Sequence, residues 1–319
     1  MARKTKVSFA KFENEVRKFA KDHRSGATSI ALSAARILAH MPADEEGGVM
    51  HKRKLEKACT ILLDGHPVIA ALWNLTDAVL GINPWPATGT MARSLVREGA
   101  RSFIRGLQDD LSSTADTASE LLGRSKKILT HSVSQTVRQT LLARHRRSPI
   151  EVICTESRPM FEGREMARAL ARAGIGVTFI PDAVAGAVLV EGRAEAVLVG
   201  SDSISEGGVA NKAGTWLLAM AAKATGVPFH VVSTHAARLP LAIQEKSLQL
   251  ARPGKEVWSA PPRSVDILNR AFDRTPLDLV TLVVMGGRVL SGERAQTELR
   301  AFKFSPSVDQ LARARGFDI

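Results

Sequence analysis

From residue 124 onward, short and continuously apolar segments alternate with segments of helical periodicity, and this alternation constrains the fold most. The apolar segments predict six strands: Lys127–Thr130, Glu151–Cys154, Val177–Ile180, Ala196–Val199, Phe229–Val232 and Leu279–Val284. The segments between them predict helices over 134–146, 163–173, 183–189 and 211–225. Apolar strands separated by helices favour a parallel sheet covered on both faces, the doubly wound α/β arrangement. In such a sheet, ligands bind beyond the carboxyl ends of the strands.

The residues before 124 follow a different pattern, because their apolar positions recur every three or four residues. Runs such as Ile30–Leu38 and Leu55–Leu62 predict amphipathic helices, and a long helix is predicted over 90–122. Glycine- and proline-bearing turns separate these helices. We therefore divide the chain into an N-terminal helical domain (1–123), a ligand-binding sheet domain (124–301) and a basic amphipathic C-terminal tail (302–319).

Composition limits the class of protein. The chain has 319 residues and a formal charge of +12, which favours anionic partners such as phosphorylated metabolites. Its two cysteines, Cys59 and Cys154, are too few for a disulfide scaffold or a thiolate zinc site. The longest apolar stretch is too short to span a bilayer, and the first residues lack the apolar core of a signal peptide. We expect a cytoplasmic protein that needs neither a metal nor an organic cofactor.

A glycine-bearing segment, Gly200–Thr215, lies between the predicted strand Ala196–Val199 and a predicted helix. Glycines allow a close approach of the backbone to a ligand, and a helix start offers free N–H groups, to which Lys212 adds a charge. Phosphate binding and ordinary turn chemistry are equally compatible with this pattern. Asp202, directly after the strand, could exchange protons with a bound sugar or accept hydrogen bonds from its own turn. Asp182 presents the same alternatives after the preceding strand.

Two arginines follow other element ends. Arg158 comes after the second predicted strand and could bind a phosphate or pair with Glu156 or Glu162. Arg24 interrupts the first two helices in the turn Asp22–Ala27, as an anion ligand or as a solvated helix-end charge.

Two other functional classes are disfavoured. His131 and Ser132 are adjacent at a strand end and point to opposite faces, so the imidazole cannot readily activate the hydroxyl as in a hydrolase. The basic residues between 124 and 150 cluster where a helix C-terminus favours cations. Because no aromatic residues are interleaved with them, a nucleic-acid partner is unlikely to be recognised there.

Several segments, taken in order, resemble one superfamily. They are ILTHSVSQTV, CTESRPMFEGREMARAL, VTFIPDAVAGAVL, VGSDSISEGGVANKAGT and FDRTPLDLVTLVV. The superfamily unites the alpha, beta and delta regulatory subunits of translation initiation factor 2B with ribose-1,5-bisphosphate isomerase and methylthioribose-1-phosphate isomerase. The resemblance spans about 124–285 and continues more weakly through DHRSGATSIAL. It implies a helical N-terminal domain followed by a Rossmann-like domain, usually dimeric through the latter. Our own hypothesis places the ligand at the strand ends, in the cleft between the two domains.

In the isomerases of this superfamily, a cysteine and an aspartate interconvert an aldose 1-phosphate and its ketose. The resemblance places the aspartate at Asp202, whereas Ser132 stands at the cysteine position. A thiol ionises near neutrality, but an alcohol needs a partner to activate it, so Ser132 cannot simply take over the role. Cys154 is a candidate replacement, although a cysteine in a parallel strand is more often a small buried apolar residue.

The resemblance also implies residues that would hold the phosphate and the hydroxyls. These are Arg24, Ser25, Gly26, Ala27, Arg158, Glu162, Asn211 and Lys212. The chain departs from the isomerase pattern at three points. Ser25 is interposed in an Arg-Gly-Ala phosphate loop, Glu162 replaces a glutamine, and an isomerase arginine is absent from the segment Trp85–Thr88.

Two functions therefore stay open. The first is a sugar-phosphate-binding protein that isomerises a pentose 1-phosphate, with Asp202 moving the proton and Ser132 serving only as a hydrogen-bonding group. The second is a non-catalytic regulatory subunit that senses a nucleotide or sugar phosphate and binds a protein partner. Asp202 favours the first function and Ser132 the second. In either case we expect a homodimer or higher homo-oligomer through the sheet domain and no membrane partner.

Overall fold

A computed structural model describes residues 8–22 and 25–317. The described chain forms two compact units. The first runs to Gln108 and also contains the segment from Lys303 onward, and the second is Asp109–Phe302. The change in periodicity predicts a boundary at residue 123 and a separate tail from residue 302. The structure instead divides the units inside one helix and groups the C-terminal segment with the helical unit.

The first unit is helical throughout its regular elements. These are α1 (Phe9–Phe19), α2 (Ala27–Ala39), α3 (Gly48–Gly65), α4 (Ala70–Leu80), the first part of α5 (Gly89–Leu121) and α12 (Pro306–Ala314). The indole of Trp73 is fully buried at the centre of this unit. The Phe304 and Phe317 rings, from either side of α12, lie 6.3 Å and 5.4 Å from it between centroids. The C-terminal segment is therefore a packed helix.

The second unit contains a seven-stranded sheet. Its strands are β1 (Lys127–Thr130), β2 (Glu151–Thr155), β3 (Gly176–Ile180), β4 (Ala196–Val199), β7 (Phe229–Ser233), β9 (Leu282–Met285) and β10 (Arg288–Leu290). The strand order is β10-β9-β7-β4-β1-β2-β3, and all neighbours are parallel except the edge pair of β9 and β10. The predicted α/β class, with N-terminal helices and a mostly parallel sheet, is confirmed.

Helices cover both faces of this sheet. They are α6 (Gln135–Arg147), α7 (Gly163–Arg172), α8 (Ala185–Val190), α9 (Thr215–Thr225), α10 (Leu241–Leu248) and α11 (Gly292–Arg300), together with the end of α5. Successive strand residues enter two separate apolar clusters: Ile153 packs in one and Cys154 in the other. This alternation buries both faces, which explains why the strands are apolar at every position.

A second, three-stranded antiparallel sheet was not predicted. It consists of β5 (Ser203–Ser205), β6 (Gly208–Lys212) and β8 (Phe272–Thr275), with β6 in the middle. The predicted helix 211–225 is therefore wrong at its start, because Asn211 and Lys212 lie in β6 and α9 begins only at Thr215. The reason is a distant partner: Asn211 pairs with Asp273, which local periodicity cannot reveal.

The strand order reverses between β1 and β4. From β1 the chain proceeds outward through β2 and β3, and it then returns to the other side of β1 with β4. The loops that leave such a pair diverge to opposite faces and open a crevice at the carboxyl ends, where ligands of open α/β sheets bind. Across residues 8–22 and 25–317, no helix combines the length and the apolar character needed to cross a membrane.

Candidate functional site

Asp202 lies at the strand-order reversal, three residues after the end of β4. Its backbone N–H donates to the Ala210 carbonyl at 2.9 Å, which fixes the turn into the second sheet. Its side chain is half-buried. Burial raises the pKa of the Asp202 carboxyl to about 7, with the Glu162 anion adding to the rise and the Lys212 cation opposing it. A carboxyl that exchanges its proton near neutrality suits general acid–base work.

Lys212 and Glu162 form a nearly dehydrated ion pair next to Asp202. The Lys212 Nζ lies 2.6 Å from Glu162 Oε1, and the two side chains are only 5% and 16% exposed. Glu162 Oε2 is buried, and no donor in the described part of the chain bonds to it. A buried acceptor without a donor is costly unless a ligand group completes it. The pair therefore offers a ligand one unpaired carboxylate oxygen, while the lysine charge is already balanced.

Glycine at position 163 brings Glu162 to this place. α7 starts at Gly163, and its backbone is pressed against the Thr155 carbonyl so tightly that a Cβ would collide with it. Only glycine allows this approach of the helix start to the end of β2. The close approach positions Glu162 toward the lysine of β6.

Asn211 is directed toward the start of α9 rather than toward the crevice. Its Nδ2 donates to the Thr215 hydroxyl at 3.0 Å, and that hydroxyl donates to the Lys212 carbonyl at 2.6 Å. The residue is buried. Asn211 therefore holds the junction of β6 and α9 in the shape that presents Lys212.

Asp273 on β8 caps α9 and was missed by the sequence analysis. Its carboxylate accepts from the Gly214 N–H at 2.6 Å and from the Trp216 N–H at 3.2 Å. Burial raises the pKa of the Asp273 carboxyl to about 6, although both backbone donors oppose the rise. The cap comes from a strand more than fifty residues away, so no local sequence signal points to it.

His131 is held by both of its ring nitrogens. Nδ1 lies 2.6 Å from the Thr155 hydroxyl and Nε2 lies 3.0 Å from the Ala213 carbonyl. Because a carbonyl only accepts, Nε2 carries the proton and Nδ1 accepts from Thr155. Burial lowers the pKa of His131, which keeps the ring neutral. No ring nitrogen is left to activate Ser132, in agreement with the argument against a hydrolase.

Ser132 has a left-handed backbone conformation, with φ of 69°. Its N–H donates to the Ser157 hydroxyl at 2.8 Å, which fixes the loop between β1 and α6. Among the described residues, the Ser132 hydroxyl itself has no hydrogen-bond partner. Ser132 follows β1, which borders the reversal in strand order. Because no described group accepts a hydrogen bond from its hydroxyl, that hydroxyl is available to bind a ligand and lacks the hydrogen-bonded base that would activate it.

Asp182 holds the backbone that follows β2. Its two carboxylate oxygens accept from the N–H groups of Ser157 and Arg158, each at 2.7 Å. Of the two alternatives left open for Asp182, the structure favours the positioning of a loop. Arg158 is exposed, its guanidinium lies 4.8 Å from the Phe161 ring centre, and it forms no ion pair with any described residue. Its charge stays available to an anion.

Cys154 does not reach the crevice. It is buried in an apolar cluster between the sheet and α6 and α7, together with residues such as Val137 and Leu170. Burial raises the pKa of the Cys154 thiol to about 12, so no thiolate forms near neutrality. The Cys154 thiol therefore cannot take over the role of the isomerase cysteine, whose position Ser132 occupies.

The predicted phosphate loop belongs to the first unit. Arg24 lies outside the described residues. The Ser25 N–H donates to Asp22 Oδ1 at 3.2 Å, Gly26 is the N-cap of α2, and Ala27 is its first residue. None of the described side chains caps this helix start, so backbone N–H groups remain there for an anion.

The basic segment before residue 150 has structural contacts. Arg144 is buried and donates to the carbonyls of Ser148 at 2.9 Å and Ser125 at 3.1 Å, beyond the C-terminus of α6. Arg147 pairs with Glu120 at 2.9 Å. These contacts favour the helix-end interpretation. In the described part of the chain, no three His, Cys, Asp or Glu side chains gather as a metal site would require.

A family model for the Initiation factor 2 subunit family matches residues 23–286. Among curated relatives, a methylthioribose-1-phosphate isomerase of Heliobacterium modesticaldum is 37% identical over 52% of this chain and 53% of its own length. A ribose 1,5-bisphosphate isomerase of Archaeoglobus fulgidus is 28% identical over 81% of this chain and 83% of its own length. Several of the curated relatives are thus matched over only about half of their length.

A solved structure extends the similarity over most of the chain. The translation initiation factor eIF-2B of Pyrococcus horikoshii superposes with a TM-score of 0.76 at 27% identity. The superposition covers 88% of this chain and 96% of the other. The fold, the order of motifs and the family model agree, and the chain belongs to the Initiation factor 2 subunit family.

Proposed function

We propose that the protein binds a sugar phosphate at the carboxyl ends of β1 and β4 and isomerises a pentose 1-phosphate to its ketose. The observation that carries the proposal is the half-buried Asp202, whose carboxyl titrates near neutrality beside the Lys212–Glu162 pair. Two relatives named as isomerases of sugar 1-phosphates support the same reaction class.

The chemistry requires one proton to be delivered and one to be removed. In an aldose whose anomeric oxygen carries a phosphate, the ring oxygen takes up a proton and the ring opens. A hydride then moves from C2 to C1, and the C2 hydroxyl loses its proton to leave a ketone. Atoms and charge balance without any external reductant. Asp202 in its acid form donates the first proton, since burial keeps that form populated near neutrality.

The other residues bind the sugar and its phosphate. The unpaired Oε2 of Glu162 accepts from a sugar hydroxyl, because a carboxylate at this position repels a phosphate. Lys212 balances Glu162 and donates to the same hydroxyls. The free guanidinium of Arg158 and the hydroxyl of Ser132 bind the phosphate. Asn211 is proposed to fix the position of Lys212. In the first unit, described by itself, Arg24, Ser25, Gly26 and Ala27 are proposed as a phosphate-binding segment.

The experiment is a proton NMR time course with ribose 1-phosphate, ribose 1,5-bisphosphate and methylthioribose 1-phosphate, each separately. We expect conversion of one of them to a ketose and its loss in Asp202→Asn, with binding retained in a thermal-shift assay. Asp266→Asn, on an exposed loop, is the matched control and should keep full activity. Stabilisation without conversion in the wild-type protein would contradict the enzymatic proposal.

One observation favours a second function. Among the described residues, no base is hydrogen-bonded to the Ser132 hydroxyl, and the eIF-2B of P. horikoshii shares the fold over nearly its whole length. A regulatory subunit that senses a nucleotide or sugar phosphate and binds a protein partner fits both facts. For this function, Asp202→Asn would leave ligand-induced stabilisation intact in a protein that never turns the ligand over.

We also propose that the protein forms a homodimer through the second unit. α8 and α9 pack side by side and carry exposed apolar residues, with Val190 77% and Leu217 65% exposed. Trp216 and Met220 extend the same surface. Monomers rarely leave such a group of large side chains in water.

A further inference from the structure

The proposed reaction moves two protons, one to the ring oxygen and one from the C2 hydroxyl, and the first is assigned to Asp202. Within the described residues no hydrogen bond links the Ser132 hydroxyl to a base, and Cys154 is buried in the core. A second titratable side chain at the same edge of the sheet would let a separate group accept the second proton. Strand β7 lies directly beside β4 and ends at this edge.

His235 lies just beyond the carboxyl end of β7 and is held by Asp110. Its Nδ1 lies 2.8 Å from Asp110 Oδ1, and its backbone N–H donates to Asp110 Oδ2 at 2.6 Å. Asp110 belongs to the part of α5 inside the second unit. These two contacts fix both the loop and the ring. Because a carboxylate only accepts, Nδ1 of His235 carries the proton and donates to Asp110.

The backbone after β9 and the α5 helix pack closely around the His235 ring. The backbone at Gly286, with φ of 57°, passes so close that a Cβ there would collide with the His235 ring and approach Asp110. Thr114, one turn after Asp110, donates to the Ser233 carbonyl at 3.2 Å and accepts from the Gly286 N–H at 2.9 Å. The imidazole is therefore clamped between α5 and the end of β9.

The other ring nitrogen is open. The His235 side chain is 40% exposed, and within the part of the chain that the structure describes its Nε2 has no hydrogen-bond partner. With the proton on Nδ1, the Nε2 lone pair is free to accept a proton. The Asp110 carboxylate would balance the imidazolium that results.

Asp202 and His235 lie on neighbouring segments that contact each other before and after these two residues. Before them, the Ser201 and Ser233 hydroxyls are hydrogen-bonded at 2.7 Å; after them, Ile204 forms a parallel bridge with Arg238. The two segments therefore run side by side in the same direction. Asp202 and His235 therefore leave neighbouring strands at the same end of the sheet, where the proposed ligand would lie.

We propose that His235, positioned by Asp110, is the second proton-transfer residue of this site. It accepts the proton of the C2 hydroxyl at Nε2 while Asp202 delivers a proton to the ring oxygen. His235 is thus a catalytic residue and Asp110 a positioning residue. Together they take the role of the isomerase cysteine, whose position Ser132 occupies. The inference rests on the proposed function, because it assigns the second half of the same reaction.

The first test compares the kinetics of wild type, His235→Gln, Asp110→Asn and Asp202→Asn with ribose 1-phosphate and ribose 1,5-bisphosphate. We expect His235→Gln to lower kcat by about 100-fold or more with KM changed by less than about threefold, the size of a general base contribution. Asp110→Asn should lower kcat less and move the acidic limb of the pH profile. His40→Gln, on an exposed histidine of the first unit, is the matched control.

The acidic limb is the readout that a merely structural role would not change. The charged groups facing His235 are Asp110 from α5 and, on its own segment, Arg238, which lies near Glu298 of α11. Since Nε2 must be unprotonated to act as a base, activity falls on the acid side, and this limb disappears in His235→Gln. A His235→Gln enzyme with a wild-type kcat and pH profile would overturn the inference.

A binding measurement separates this inference from the proposed function. Histidine side-chain ¹⁵N spectra, assigned with His235→Gln, are recorded with and without each sugar phosphate. We expect the Nε2 resonance of His235 to move on saturation. If the protein binds or converts a sugar phosphate and this resonance stays fixed, only the assignment of His235 fails. If no probe binds or reacts, the proposed function fails, and the role of His235 fails with it.

Discussion

Asp202 combines two properties that oppose each other in a folded protein. It is sufficiently buried for its proton to be held to about pH 7, yet part of its side chain stays open to a ligand. Its ordinary pKa of 3.8 applies in the unfolded chain. Between roughly pH 4 and pH 7 the native state therefore binds a proton that the unfolded state has lost, so stability falls as the pH rises through this range.

Asp202→Asn should consequently stabilise the protein at pH 8, where the wild type bears an ionised, dehydrated carboxylate. We expect a gain on the order of 2 kcal/mol in the free energy of unfolding at pH 8 and almost none at pH 4. Urea unfolding at both pH values measures the difference. An equal effect at the two values would show that the carboxyl charge is not the cause.

Glu162 changes the pKa of Asp202 although the two residues lie forty positions apart in the chain. Its anion raises the pKa of Asp202, and it also holds Lys212, whose cation lowers that pKa. Glu162→Gln removes the anion and releases the cation, so both changes should move the Asp202 titration below pH 7. Carboxyl ¹³C NMR of Asp202 measures the midpoint without relying on activity. Glu165→Gln, on the exposed side of the first turn of α7, should leave it unchanged.

Among the elements, α9 depends on a cap that comes from another sheet. Asp273→Ala would leave the N–H groups of Gly214 and Trp216 without their acceptor at the start of this helix. We expect a loss of about 1–3 kcal/mol in the free energy of unfolding. Asp273→Asn keeps an acceptor oxygen and should lose less than half as much. Denaturant unfolding of both variants decides, and equal losses would mean that the charge, not the cap, matters.

The close approach of α7 to β2 allows a matched pair of glycine substitutions. A methyl group at Gly163 would collide with the Thr155 carbonyl, whereas Gly106, exposed within α5, has open space around it. Gly163→Ala should destabilise the fold by about 2 kcal/mol or more and disturb the Glu162–Lys212 pair. Gly106→Ala should stabilise it by about 0.5–1 kcal/mol. Thermal unfolding tests both, and a neutral Gly163→Ala would refute the close approach.

The same elements explain how far the sequence could predict the fold. β1 and β4 were predicted with their observed bounds, because continuous apolar runs are a local signal. The second sheet was missed, since β6 is polar at Asn211 and Lys212 and its pairing partner comes sixty residues later. The proposed site behaves likewise: Asp202 follows a predicted strand and could be found, whereas Asp273 could not. His235 also follows a predicted strand, and its polar position there was the signal that went unused.

In the whole molecule, the exposed apolar surface of α8 and α9 is the proposed dimer interface. Leu217→Glu places a charge in its centre, and we expect it to convert the proposed dimer into a monomer at micromolar concentration. Val49→Glu, on an equally exposed apolar residue of α3, is the control and should leave the mass unchanged. Analytical ultracentrifugation gives the result, and a wild type that sediments as a monomer would refute the dimer.

The second sheet has a consequence for how such a protein acquires new chemistry. Lys212 lies in β6, which pairs with β8, and none of the residues proposed to contact the ligand lies on β8. Substitutions on that strand can therefore displace the ammonium group by fractions of an ångström. The strand therefore acts as a remote adjustment of the proposed site, one that leaves every ligand-facing side chain unchanged. A library that varies only β8 should contain members with altered substrate preference, and natural divergence within the family has the same route open to it.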